Sequence, residues 1–98
     1  MIQRDSVHSR TDGASSSATA LAAFSDRRLF SIQNLDTSAL FVKFASGCTT
    51  SSYDIILKGG TSAADGSGGA IIESGECVYG GIITVASSGT PSYVAYDI

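Results

Sequence analysis

The run RLFSIQN (28–34), NLDTSA (34–39), LFVKFA (40–45) decides the fold. In its first part Phe30 and Ile32 fall on one face, with Ser31 and Gln33 on the other. In its last part Leu40, Val42 and Phe44 alternate with Phe41 and Lys43. A period of two is the signature of a strand that buries one face and wets the other. Between them, Asn34, Asp36 and Ser38 have side chains short enough to bond their own backbone, which makes a turn. Two alternating runs with a short polar connection predict an antiparallel hairpin.

The same alternation extends outward in both directions. YDIILK (53–58) sets Tyr53, Ile55 and Leu57 against Asp54, Ile56 and Lys58, after the polar loop SGCTTSS (46–52). Three further runs follow the Gly-rich GGTSAADGSGG (59–69): AIIES (70–74), CVYGGIITVAS (77–87) and PSYVAYDI (91–98). Gly80-Gly81 should bend or break the second of these, because glycine weakens a strand interior. Upstream, the Ala and Leu of SATALAAF (17–24) favour helix, but the segment is short, lacks a helical polar face and alternates well enough for a strand, which is the reading adopted; SDRR then turns the chain. About six or seven short strands spaced by turn clusters, with no credible long helix after residue 24, predict an all-β fold. The expected architecture is a small antiparallel β-sandwich, jelly-roll-like, over residues 17–98.

Residues 1–16, MIQRDSVHSRTDGASS, carry only Ile2 and Val7 as sizeable apolar groups and show no period. They read as an extended N-terminal arm whose order must come from a neighbouring surface. Fully extended, such an arm reaches about 50 Å. A body of this size is marginal on one core alone, which favours an oligomer or a place in a larger assembly.

Charge narrows the partners. Residues 1–28 hold four arginines against three aspartates, whereas residues 29–98 hold two lysines against six acids, a net −4. An acidic body without a basic face cannot neutralise phosphates, so nucleic-acid binding is not expected. No run approaches the ~18 apolar residues of a membrane span. The opening residues lack the apolar core of a secretory signal, so assembly in a cytoplasm is expected. There Cys48 and Cys77 should be two reduced, buried thiols.

The sequence holds no constellation of catalytic or metal-binding residues. His8 is the single histidine and lies in the arm, and one histidine with two distant cysteines is too few for zinc. Glu73 and Glu76 flank a turn at Ser74-Gly75, and Asp54 sits beside Ile55; all three read as solvated acids rather than a glycosidase pair. The loop 59–69 matches no phosphate-binding pattern and precedes no helix, so it reads as a flexible surface loop. Asp65-Gly66 is a turn dipeptide and lacks the ligand spacing of a calcium loop. Tyr53, Tyr79, Tyr93 and Tyr96, dispersed over different runs, read as packing residues rather than a sugar platform. The sequence therefore predicts a non-enzymatic contact module with no cofactor and no metal.

The pattern Arg28, Ile32-x-Asn34, a polar turn, then Leu40-x-Val42-x-Phe44 resembles small β-sandwich virion accessory proteins of tailed bacteriophages. The closing Gly89-Thr90-x-x-Tyr93-Val94 fits as well, while Ala45-Ser46 departs from the glycine usual after the phenylalanine. The resemblance implies a capsid decoration (cement) protein that binds the outer capsid surface and stabilises the shell by bridging major capsid subunits. It also implies a homotrimer located in the virion. The arm would then supply the partner contacts, with Ile2 and Val7 as apolar anchors and Arg4 and Arg10 pairing with acidic loops. The alternative is a tail, fibre or head–tail accessory protein, including a receptor- or glycan-binding module.

Overall fold

Alternation at 29–34 becomes structure because a strand puts successive side chains on opposite faces, and here one face is covered. In the computed structural model, which describes residues 17–98 together with the backbone of 7–12, Phe30, Ile32 and Asn34 are buried along one side of this strand. Eight strands are present among the described residues. They are β1 (Val7–Asp12), β2 (Ser17–Leu21), β3 (Leu29–Asn34), β4 (Leu40–Lys43), β5 (Ile55–Leu57), β6 (Ala70–Ser74), β7 (Ile83–Ala86) and β8 (Ser92–Asp97).

They form two four-stranded sheets, ordered β1-β8-β3-β6 and β2-β7-β4-β5, with every neighbouring pair antiparallel. First pairs with last, second with seventh, third with sixth and fourth with fifth. That is one long antiparallel ribbon folded over on itself, the jelly-roll arrangement. The all-β sandwich read from the sequence is the fold.

The expected hairpin between 28–34 and 40–45 is not formed. β3 and β4 lie in opposite sheets, and residues 35–39 carry the chain from one to the other. Both alternations are nevertheless real, because Phe30 and Ile32 face Leu40 and Val42 through the shared core. Leu21, Leu57, Ile83, Val85, Tyr93 and Ala95 complete that core from the two sheets. Asn34 holds the crossing. Its buried amide donates to the carbonyls of Ser38 (2.8 Å), Lys58 (3.1 Å) and Leu57 (3.2 Å), and its Oδ1 accepts the N–H of Asp36 (2.9 Å). Such a polar group can be buried only because its partners are supplied.

Residues 7–12, read as part of the arm, run as the edge strand β1 against β8, with Val7 opposite Asp97 and Arg10 opposite Val94. Strand pairing uses main-chain groups, so VHSRTD can join a sheet without an apolar period. Ile2 and Arg4 lie outside the described residues. In 77–87 no strand forms before the glycine pair, and β7 begins only at Ile83. All four β7 residues are buried, since residues 45–48 cover the outer face: Thr84 Oγ1 donates to Ala45 O (2.7 Å) and accepts Cys48 N–H (3.1 Å).

Candidate functional site

β6 ends its sheet and leaves most of its side chains in solvent, with Ile72 64% exposed. Its inward-facing residues mark where the two sheets part. Ile71 sits opposite Ile32 and packs on the core, whereas Glu73, two residues on and opposite Phe30, lies at the sandwich mouth and is exposed. The chain then turns at Gly75, whose φ of +129° is open to glycine and strained for other residues.

The turn builds a cleft of about 580 Å³ beneath the end of β6. Phe30, Phe44 and Val78 form its apolar wall, Tyr79 closes one side, and Glu73, Glu76 and Cys77 stand at its rim. The rings are in edge-to-face contact, Phe30 with Phe44 at 6.1 Å and Phe44 with Tyr79 at 5.5 Å between centroids. Tyr79 is held by its hydroxyl, which donates to Ile82 O (2.9 Å), and its ring lies where any side chain at Gly81 would have to go. β4 stops beside this wall because the Asp54 carboxylate takes the N–H of Phe44 (2.8 Å).

Arg27 anchors the cleft from behind. Its Nη1 donates to the carbonyls of Tyr79 (2.9 Å) and Gly81 (3.0 Å), Nη2 donates to Ala22 O (2.6 Å), and Nε donates to Asp97 Oδ2 (3.0 Å). A buried guanidinium so satisfied fixes the loop after β6 to the loop before β3 and to β8. Sequence alone places Arg27 in a polar turn beside Arg28, with nothing to mark it as buried. Its neighbour, a hollow of about 520 Å³, brings Asp26 and Arg28 together with Glu76, so charges of both signs face it.

The other sequence candidates scatter. Tyr93 is in the core with its hydroxyl donating to Thr19 O (3.4 Å), Tyr53 leans on Phe41 (4.8 Å), and Tyr79 leans on Phe44, so no shared platform forms. Cys48 is buried as expected, but Cys77 is exposed, a correction that follows from its place in the turn after the edge strand. Burial pushes the Cys48 thiol up, with Asp54 adding to the effect and Lys43 opposing it. The 59–69 loop is held rather than free. Gly60 N–H donates to Asp36 O and Ala64 N–H to Leu35 O, while Asp65 accepts from Ser62 and Ser67. These bonds hold the Asp65 carboxyl at about 2, below its ordinary value, Ser67 contributing most. Among the described residues no group of three His, Cys, Asp or Glu could hold a metal ion. No described helix is long and apolar enough to cross a membrane.

Comparison with known proteins adds no relative: no family model, curated protein or solved structure matches this chain.

Proposed function

We propose that the chain is a capsid decoration protein of a tailed bacteriophage, a contact module that binds the outer surface of the shell and bridges major capsid subunits. The observation that carries the reading is the open end of one sheet. β6 presents an unpaired edge among the described residues, with Ile72 in solvent and Glu73 as its one charged side chain. Sheet proteins ordinarily protect such an edge, and a bare one is a template for a partner's chain. The phage-like strand pattern around Ile32-x-Asn34 and Leu40-x-Val42-x-Phe44 supports the choice of partner.

The mechanism is multivalent contact. Each chain buries modest area, on the order of 800 Å² per partner for a standard interface. A homotrimer links three such contacts, so each later one forms at high effective concentration. The residues before β1 belong to the same mechanism, with Ile2 as an apolar anchor and Arg4 pairing with acidic capsid loops, while Val7 and Arg10 stand on the edge strand β1.

The test is binding to shells that lack the protein. Purified chain should saturate them in proportion to the capsid subunits and raise the temperature at which they rupture. Absence of binding, or occupancy of a single ring at the tail vertex, overturns the decoration reading; the ring favours a head–tail accessory role. Deleting residues 1–6 leaves β1 whole, so unchanged occupancy by that variant removes Ile2 and Arg4 from the contact.

A further inference from the structure

We propose that the cleft beneath β6 receives an arginine or lysine side chain presented by a protein partner. The inference rests on the capsid reading for the identity of that partner, and on the cleft alone for its chemistry. Two features of the cleft must be satisfied together. Its wall is apolar and aromatic, made by Phe44 and Tyr79 with Phe30 buried behind them, and its rim is anionic, made by Glu73 and Glu76. Neither glutamate has an ion-pair partner among the described residues.

An apolar occupant would strip water from the carboxylates without replacing it, and an anion would be repelled. A divalent metal needs more ligands than the rim brings together. What remains is a cation carried on an apolar stem. Arginine and lysine side chains have that form, with methylene groups to lie along the rings and a charged head for the rim. Rings attract such a head through their electron-rich faces, and a guanidinium bonds carboxylates as a planar fork.

The volume of about 580 Å³ exceeds what one charged head fills, leaving room for its stem and flanking main chain. The cleft also lies directly under the unpaired end of β6, so a segment laid along that edge passes over it. The acidic balance of residues 29–98 would draw a basic segment in from a distance. The adjoining hollow lacks this selectivity because Arg28 faces it beside Asp26 and Glu76.

Cys77 at the rim is a built-in reporter, since Cys48 is buried. The intact chain is treated with iodoacetamide at physiological salt, with and without a blocked tetra-arginine peptide at millimolar concentration. The expected result is at least about fivefold slower alkylation of Cys77, corresponding to occupancy well above half. A tetra-citrulline peptide, equal in shape and uncharged, should leave the rate unchanged. So should the arginine peptide on a Glu73→Gln/Glu76→Gln variant whose melting temperature matches the parent. No protection by the arginine peptide, equal protection by citrulline, or protection surviving in the double variant overturns the inference. A parallel arm compares shell binding by the parent and by Glu73→Lys/Glu76→Lys. Failure of the parent to bind shells overturns the capsid reading and leaves the peptide result to decide the cleft. Equal binding by parent and charge-reversed variant overturns the assignment of the basic side chain to the capsid.

Discussion

The guanidinium of Arg27 and the carboxylate of Asp97 meet at 3.0 Å although seventy residues separate them, and their side chains are 0% and 1% exposed. One joins the turn before β3 and the other closes β8, so the pair clasps the chain's last strand to the base of the cleft. Phe30 packs under the same guanidinium, 5.9 Å from the ring centroid.

Breaking that pair should be severe. Arg27→Ala leaves a buried carboxylate and strips three backbone carbonyls of their donor, an expected loss of about 3–5 kcal/mol. For a domain of this size that is much of the total stability. The double variant Arg27→Met/Asp97→Leu removes both charges and should lose clearly less than the two single changes together. Urea unfolding curves of the parent, Arg27→Met, Asp97→Leu and the double variant check this, with Arg27→Ala measured beside them.

The crossing from β3 to β4 gives a second test. Asn34→Ala abandons four hydrogen bonds in a buried corner and should cost about 1–3 kcal/mol. Gly68→Ala attacks the same corner by another route, since a methyl there would land on the carbonyl oxygen of Asn34. Its expected cost is also about 1–3 kcal/mol, from displaced backbone rather than lost bonds. Each should lower the melting temperature by several degrees, and because they share a corner their effects should not add.

Acid should loosen the 59–69 loop. The Asp65 carboxyl, held at about 2 by hydrogen bonds from Ser67 and Ser62, lies below its unfolded value of 3.8. A depressed carboxyl contributes order that is fully present above the unfolded value and lost as pH falls through the folded one. The window is therefore from about pH 4 down to pH 2. Amide shifts of Ser62 and Ser67 should titrate within it, and Asp65→Asn should abolish that titration at every pH.

The two thiols should behave differently. At neutral pH the native chain should take up one equivalent of iodoacetamide, at Cys77, and a second only in denaturant. Cys48 is shielded by burial, which also raises its thiol, and its Sγ donates to Phe41 O at 3.3 Å. Mass spectrometry of labelled peptides reads both outcomes. Rapid native labelling of Cys48 would mean that loop 46–52 opens.

Ile72 separates folding from contact. Because its side chain is largely in solvent, Ile72→Lys should change unfolding stability by no more than about 0.5 kcal/mol. The same lysine would blunt the open edge. Shell occupancy should fall, while the melting curve stays in place.

Much of the fold is legible from residues 28–45 because alternation is a local property of the chain. Phe30, Ile32, Leu40 and Val42 are all buried as their spacing predicts. Sheet membership is not local. β3 and β4 satisfy the same alternation whether they pair side by side or face each other across a core, and the sequence carries no sign to choose between them. β1 escaped for a different reason, since its contacts with β8 run through main-chain groups common to every residue. The cleft was hidden because Phe44 and Tyr79 read as ordinary packing residues, and Glu73 and Glu76 as solvated acids, until the turn at Gly75 gathers them.

An all-β sandwich of short strands is written into the chain locally, because side-chain period and turn chemistry act over a few residues. The jelly-roll order, the burial of Arg27 against Asp97, and the meeting of aromatic wall and acidic rim under β6 emerge only in the folded chain. Each of those depends on segments tens of residues apart coming into contact, and no local pattern records which distant segment a strand will find.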